Sequence, residues 1–90
     1  MNSYKCSDGT RVPKSIIDRK VRFAKQTKLR QFFDEHGYYF CEECKVSTGT
    51  YIDCSHDISV DQCQKQGRTE LAWDVNNITL RCRECHVKHD

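Results

Sequence analysis

The chain has 90 residues, 37% hydrophobic and 31% charged, with seven cysteines and a net charge of +2. A chain this short makes one domain, or one domain plus an arm, and rarely holds a fold on core burial alone. No apolar run approaches the roughly 20 residues of a membrane-spanning helix, and residues 1–14 lack the apolar stretch of a secretory signal, so no membrane partner is expected. The expected setting is intracellular, cytoplasmic and reducing. There, cysteine pairs read as metal ligands before disulfides, and seven thiols cannot all pair within one chain.

The modest net charge hides an asymmetry. Residues 1–33 carry nine Lys/Arg against Asp8 and Asp18, whereas residues 34–90 carry six Lys/Arg against eleven Asp/Glu. A basic first third suggests a polyanion partner, although a solvated helix face gives the same signal.

Residues 1–12 read as an arm or short hairpin with Asp8-Gly9 at its turn. Pro13 suits the first position of a helix, where its missing N–H costs nothing. From Lys14 to about Glu35 the pattern is helical. Ile16, Ile17, Phe23, Ala24, Leu29, Phe32 and Phe33 include apolar pairs three, four and seven apart, with basic residues between them. Gly37 is a helix stop. These first 37 residues form an arm and a basic helix; residues 38–90 form a second unit.

In that second unit Ser47-Thr48-Gly49 is a turn, and Thr50 to His56 has strand composition. Ser59 with Gln62 is a weak capping box for a short helix that Gly67 can close. Leu71 to Asn77 reads as loop, Ile78-Thr79-Leu80 as a strand, and Cys82 to Asp90 as the beginning of the last helix, or a turn plus helix.

Cys41-x-x-Cys44 and Cys82-x-x-Cys85 can close one tetrahedral four-thiolate site. Zinc fits best, because a structural zinc takes four soft ligands at about 2.3 Å and leaves no open position. The 37 intervening residues exceed those of a simple zinc ribbon, so the site must enclose a hairpin and more. Such a site contributes folding free energy of about 10 kcal/mol or more, which offsets the small core. Cys54 reads as a small buried apolar group, and Cys6 and Cys63 carry no spacing signal. A two-Cys, two-His finger from Cys41, Cys44, His86 and His89 fails on spacing.

The run Cys41-x-x-Cys44, Cys54-Ser55-His56, then Trp73-Asp74-Val75-Asn76-Asn77-Ile78-Thr79-Leu80-x-Cys82-x-x-Cys85-His86-x-x-His89 resembles the HNH nucleases. It looks most like the small, zinc-bound, phage-type members, which implies a virus-encoded protein acting in a host cell. The resemblance covers about residues 38–90. It implies an α+β fold: a small zinc-stabilised ββα-metal (HNH, or His-Me finger) domain, here preceded by a long basic N-terminal helix.

By that resemblance His56 ends the first strand as general base. Asn77 ties the loop and holds the His56 imidazole, with Asn76 as the alternative if the loop slips. His86 binds a catalytic divalent ion, Mg²⁺ or Mn²⁺ with Ni²⁺ as an alternative, and His89, one turn later, joins it. His86 as a zinc ligand is the competing assignment. The chemistry suits these residue types: imidazole can deprotonate water near neutral pH, and a hard cation neutralises charge on the phosphoryl and leaving oxygens. Many family members carry Asp immediately before the base, where this chain has Ser55. Asp53, on the same strand face, is the preferred replacement, ahead of Asp57.

A compact site of this kind touches few nucleotides, so DNA affinity must come from phosphate contacts elsewhere. Lys14, Arg19, Lys20, Arg22, Lys25, Lys28 and Arg30 are the candidates on the basic helix, and Arg81, Arg83 and Lys88 flank the site. Trp73 reads as a hydrophobic plug behind the loop, and His36 as a cation at the helix C-terminus. The expected function is metal-dependent cleavage or nicking of DNA; one active site cuts one strand, so double-strand breaks require a homodimer or two visits. The alternatives are a catalytically inactive zinc-containing DNA-binding module and a zinc domain that binds protein.

Overall fold

The computed structural model describes residues 3–89. Strands β1 (Ser3–Lys5) and β2 (Arg11–Pro13) pair antiparallel, with Tyr4 opposite Val12. The Asp8-Gly9 turn holds as expected. The Asp8 carboxylate accepts from the Thr10 N–H at 3.0 Å and the Thr10 hydroxyl at 2.6 Å, and Gly9 takes φ +89°, which favours glycine.

Helix α1 runs Lys14–His36. Pro13 stands one position earlier than expected: it is the N-cap, extended at ψ 157°, because it still belongs to β2. Gly37 ends the helix with φ +80° and returns its N–H to the Phe33 carbonyl at 2.7 Å. The buried stripe is narrower than the apolar pattern suggested. Ile17, Ala24 and Phe32, seven and eight apart, are buried, but Phe23 is 70% exposed and Phe33 48%. One residue's rotation of about 100° turns Phe23 away from the side that Ala24 buries.

Strands β3 (Ile52–His56) and β4 (Ile78–Cys82) form the second antiparallel pair, with Ile52 opposite Cys82 and His56 opposite Ile78. β3 starts two residues later than the composition suggested. Ser59 caps α2 (Val60–Lys65), accepting the Gln62 N–H at 3.2 Å. Gly67 follows with φ +68°. The stretch expected as plain loop is two short 3-10 helices, Thr69–Trp73 and Val75–Asn77. The Asp74 side chain starts the second by accepting the Asn76 N–H at 2.9 Å. Helix α3 covers Arg83–His89; the expected end at Asp90 lies outside the described residues.

The core lies between α1, the 3-10 segment and the β3–β4 pair, where Ile17, Cys63, Thr69, Ala72, Ile78 and Leu80 are sealed from solvent. The N-terminal hairpin is tied to the same segment. Thr69 donates its hydroxyl to the Lys5 carbonyl at 2.6 Å, and the Ser7 N–H meets the Glu70 carboxylate at 3.0 Å. Basic helix and cysteine-bearing unit therefore share one continuous core. Among the described residues no helix is long and apolar enough to cross a membrane.

Candidate metal centre and imidazole cleft

Each CxxC folds into a turn that aims two sulfurs at one point. The Cys44 N–H points at Cys41 Sγ and the Cys85 N–H at Cys82 Sγ, both at 3.5 Å. Lys45, at φ +68°, closes the first turn by donating its N–H to the Cys41 carbonyl at 2.9 Å. The four Sγ atoms lie within 4.8 Å of one another, and Cys44 Sγ is 3.7 Å from Cys82 Sγ. A tetrahedron of 2.3 Å zinc–sulfur bonds has edges of about 3.8 Å, so the spacing fits a tetrathiolate metal site. It is far too long for a disulfide, and all seven cysteines are free.

The thiols are electrostatically crowded. Burial pushes Cys41 up, but the N–H groups of Cys44, Cys82 and Glu43 together outweigh it and bring its pKa to about 6. Cys85 is raised, chiefly by its contact with Cys82 and then by burial. At Cys44 the Val46 N–H works the other way, yet burial and the Cys41 and Cys82 sulfurs raise it. One thiolate thus makes the others harder to ionise, and a dication would relieve all of them at once. Between the first two cysteines, Glu42 locks the turn to the sheet. Its Oε2 accepts the Leu80 N–H at 2.7 Å and lies 3.4 Å from Lys28 Nζ.

At the other end of β3, His56 Nε2 sits 2.7 Å from the Ala72 carbonyl. A carbonyl only accepts, so Nε2 carries the proton and Nδ1 is the acceptor of the neutral ring. Burial, and secondarily the Lys25 charge, hold the His56 pKa below its ordinary value against the opposing effects of Ala72 and Asp57. His56 lines an open cleft of about 650 Å³ with Asp57, Gln62, Gln66 and His89.

Asn77 is buried and knits the loop. Its Oδ1 accepts the Ile58 N–H at 2.8 Å, and its amide donates to the Ile58 and Leu71 carbonyls, each at 3.0 Å. The loop-tying role expected of Asn77 is visible, but the imidazole's own partner is Ala72. No sequence signal marks a main-chain carbonyl, which is why residue-type reasoning missed it. Asn76 is exposed, its side chain outside this network.

The residues expected to bind a catalytic ion are split between two clefts. Asp53 and His86 line one of about 280 Å³ with Arg83, while His89 lines the His56 cleft. His89 Nε2 reaches the carbonyls of His56 at 2.9 Å and Asp57 at 3.0 Å, so it clamps the strand end. Among the described residues the four cysteines are the sole group of three or more His, Cys, Asp or Glu whose ligand atoms converge. Asp53, His86 and His89 therefore do not fit a single preassembled cation site. Ser55 is fully buried with its hydroxyl unpartnered. Asp57 is engaged: burial would raise its pKa, but the Thr79 hydroxyl and the Arg81 guanidinium, both at 2.8 Å, hold it low.

The basic residues divide as well. Lys14, Arg19, Lys20, Arg22 and Arg30 are exposed and Lys25 is half-buried. Lys28 is drawn to Glu42. Arg83 is exposed over the Tyr51 ring, and Lys88 pairs with Glu84. Arg81 corrects the expectation of a surface phosphate contact: it is 6% exposed and clamped between Glu43 and Asp57. Cys54 is half-buried, its sulfur 3.7 Å from the Lys25 carbonyl, and His36 stacks on Phe32. Trp73 is half-buried at the surface beneath Lys20 Nζ, where a plug behind the loop was expected. Compared with family models, curated proteins and solved structures, the chain has no significant match in any of the three.

Proposed function

We propose that this chain is a metal-dependent DNA endonuclease of the HNH type, with a structural zinc on Cys41, Cys44, Cys82 and Cys85 and with His56 as general base. The single observation that carries the reading is the His56–Ala72 contact of 2.7 Å. It fixes the tautomer that leaves Nδ1 as proton acceptor, on a residue lining an open cleft. A depressed pKa keeps that ring neutral near pH 7, the state a general base needs. Zinc on four thiolates has no open position and supports structure only.

The ring's work is to take a proton from the attacking water. The Ala72 carbonyl stabilises the imidazolium that results, and His89 holds the strand end through the His56 and Asp57 carbonyls. No step is assigned to Asp53 or His86. The divalent-ion requirement is part of the proposal, and Mg²⁺, Mn²⁺ and Ni²⁺ are its candidates.

A second reading, a zinc-containing DNA-binding module without activity, is favoured by Ser55. Its buried hydroxyl stands where many HNH proteins carry a carboxylate. Supercoiled plasmid incubated with each of the three ions separates the readings. The nuclease reading expects nicking by the wild type and none by His56→Ala. If both proteins are inert while both shift DNA on a gel, the binding module holds.

A further inference from the structure

Phe23 is the most exposed phenylalanine of the chain, at 70%, and it stands among cations. Arg19 and Arg30 lie four residues before and seven after it, on the same helix face, and Lys20 and Arg22 flank it. A solitary exposed phenylalanine needs no explanation. This one shares a groove with a second aromatic side chain: Phe23, Ala24, Trp73 and Val75 line an apolar groove of about 450 Å³, rimmed by Arg19 and Lys20. The volume is within the range of about 300–1,000 Å³ typical of small-ligand sites. Lys20 Nζ sits 5.0 Å from the Trp73 ring centroid, so the ring face already attracts a cation.

Arg22, next to Phe23 in the helix, adds a third exposed cation to Arg19 and Lys20. Among the described residues Arg19, Lys20 and Arg22 make no ion pair, unlike Lys28 with Glu42 or Arg81 with Glu43. Cations with no acidic partner beside two aromatic side chains favour one occupant, a strand with phosphates to draw Lys20 off the Trp73 ring and with accessible base faces. In a duplex those faces are already stacked, leaving only edges and phosphates. We propose that Phe23 and Trp73 form a stacking slot for the bases of unpaired DNA, with Arg19, Lys20 and Arg22 holding the flanking phosphates. The inference rests on the reading that the chain engages DNA, and it deepens it: the substrate class is DNA with a single-stranded element. Every base has a π face, so the slot is tolerant of sequence.

Trp73 is the chain's single tryptophan and reports on its own groove. The experiment titrates the zinc-loaded full chain, with no other divalent ion, with oligo(dT) of about 12 nucleotides, a length within single-strand site sizes. A hairpin duplex with the same number of phosphates is the comparison. The expected result is quenching of Trp73 by oligo(dT). Phe23→Ala should weaken oligo(dT) about 5- to 150-fold, the range for one lost stacking contact, and Phe23→Trp should restore it. Duplex affinity should change less than about twofold. Unchanged oligo(dT) binding by Phe23→Ala, or an equal loss for duplex, overturns the slot. Tighter binding of oligo(rU) than oligo(dT) overturns its assignment to DNA. A chain that nicks plasmid without Phe23-dependent binding sinks the slot alone; one that is quenched by oligo(dT) but leaves plasmid intact sinks the nuclease reading alone.

Discussion

Asn77 acts on His56 through one peptide link: its amide donates to the Leu71 carbonyl at 3.0 Å, and the next carbonyl along, Ala72, meets His56 Nε2 at 2.7 Å. The buried amide thus sets the height of the carbonyl that selects the imidazole tautomer. The strand end and the 3-10 segment are joined by one side chain and one ring.

Replacing Asn77 with Ala leaves the Ile58 N–H without an acceptor and takes one of two donors from each of the Ile58 and Leu71 carbonyls, which keep the Cys63 thiol and the Asp74 N–H. Each buried polar group left unmade costs about 1–3 kcal/mol, and water entry recovers part of that. We expect a net loss of about 2–4 kcal/mol in urea unfolding. Nicking should fall further than the folded fraction does, because the imidazole loses its fixed partner. Imidazole ¹⁵N shifts that keep His56 in its Nε2–H form in the variant would refute the linkage.

The depressed His56 pKa gives a signed pH profile. Protonation abolishes the base, so nicking should rise with pH through a value below the usual 6.5 or so of histidine and then level off. Stability follows the same direction. Between the folded and the unfolded pKa the unfolded chain binds more protons, so this group's contribution falls as pH drops through that window and is constant above it. A rate that declines as pH rises from 6 to 7 would exclude His56 as base.

Chelation should unfold the chain. The core is small, and four thiolates drawn to one point stay together only with a cation among them. Competing protons should weaken metal affinity as pH falls. Far-UV dichroism before and after treatment with a strong chelator checks the first statement. Co²⁺ substitution checks ligand identity: a four-sulfur site gives intense sulfur-to-metal charge-transfer bands that Cys82→Ser should diminish.

Arg81 separates a structural from a nucleic-acid role. Its guanidinium is buried and bonds Glu43 and Asp57, both at 2.8 Å, but those partners are 48% and 40% exposed and can rehydrate. Arg81→Leu should therefore cost about 1–2 kcal/mol, less than a fully buried pair. DNA affinity should keep its salt dependence in Arg81→Leu. Arg19→Ala or Arg22→Ala should lower the slope of log K against log salt by about 1 each. A slope change for Arg81→Leu equal to theirs would restore it to the phosphate contacts.

Much of this fold is legible because its signals are local. The Asp8-Gly9 turn, the stop at Gly37, the cap at Ser59 and the two CxxC turns each depend on a few adjacent residues whose backbone preferences are strong. The convergence of the cysteines follows from spacing alone. Other features depend on what lies across the fold. Phe23 and Phe33 have the right period to be buried, yet only a short sheet and a 3-10 segment are available to cover α1, and Ala24 takes the place. Arg81 reads as a surface cation until Glu43 and Asp57 arrive from distant positions. His89 has ligand spacing, but its ring finds two main-chain oxygens that residue types do not reveal.

The register of β3 on β4 keeps sulfur and imidazole apart. Cys82 is opposite Ile52, whereas His56 stands four residues further along, about 13 Å away at 3.3 Å per residue. The four cysteines and the imidazole thus occupy opposite ends of one strand ladder, and a metal on the sulfurs touches the ring only by holding that ladder in register. Loading the four cysteines with cadmium in place of zinc, an ion of equal charge, should alter the spectrum of the protein while leaving its pH–rate curve where it was.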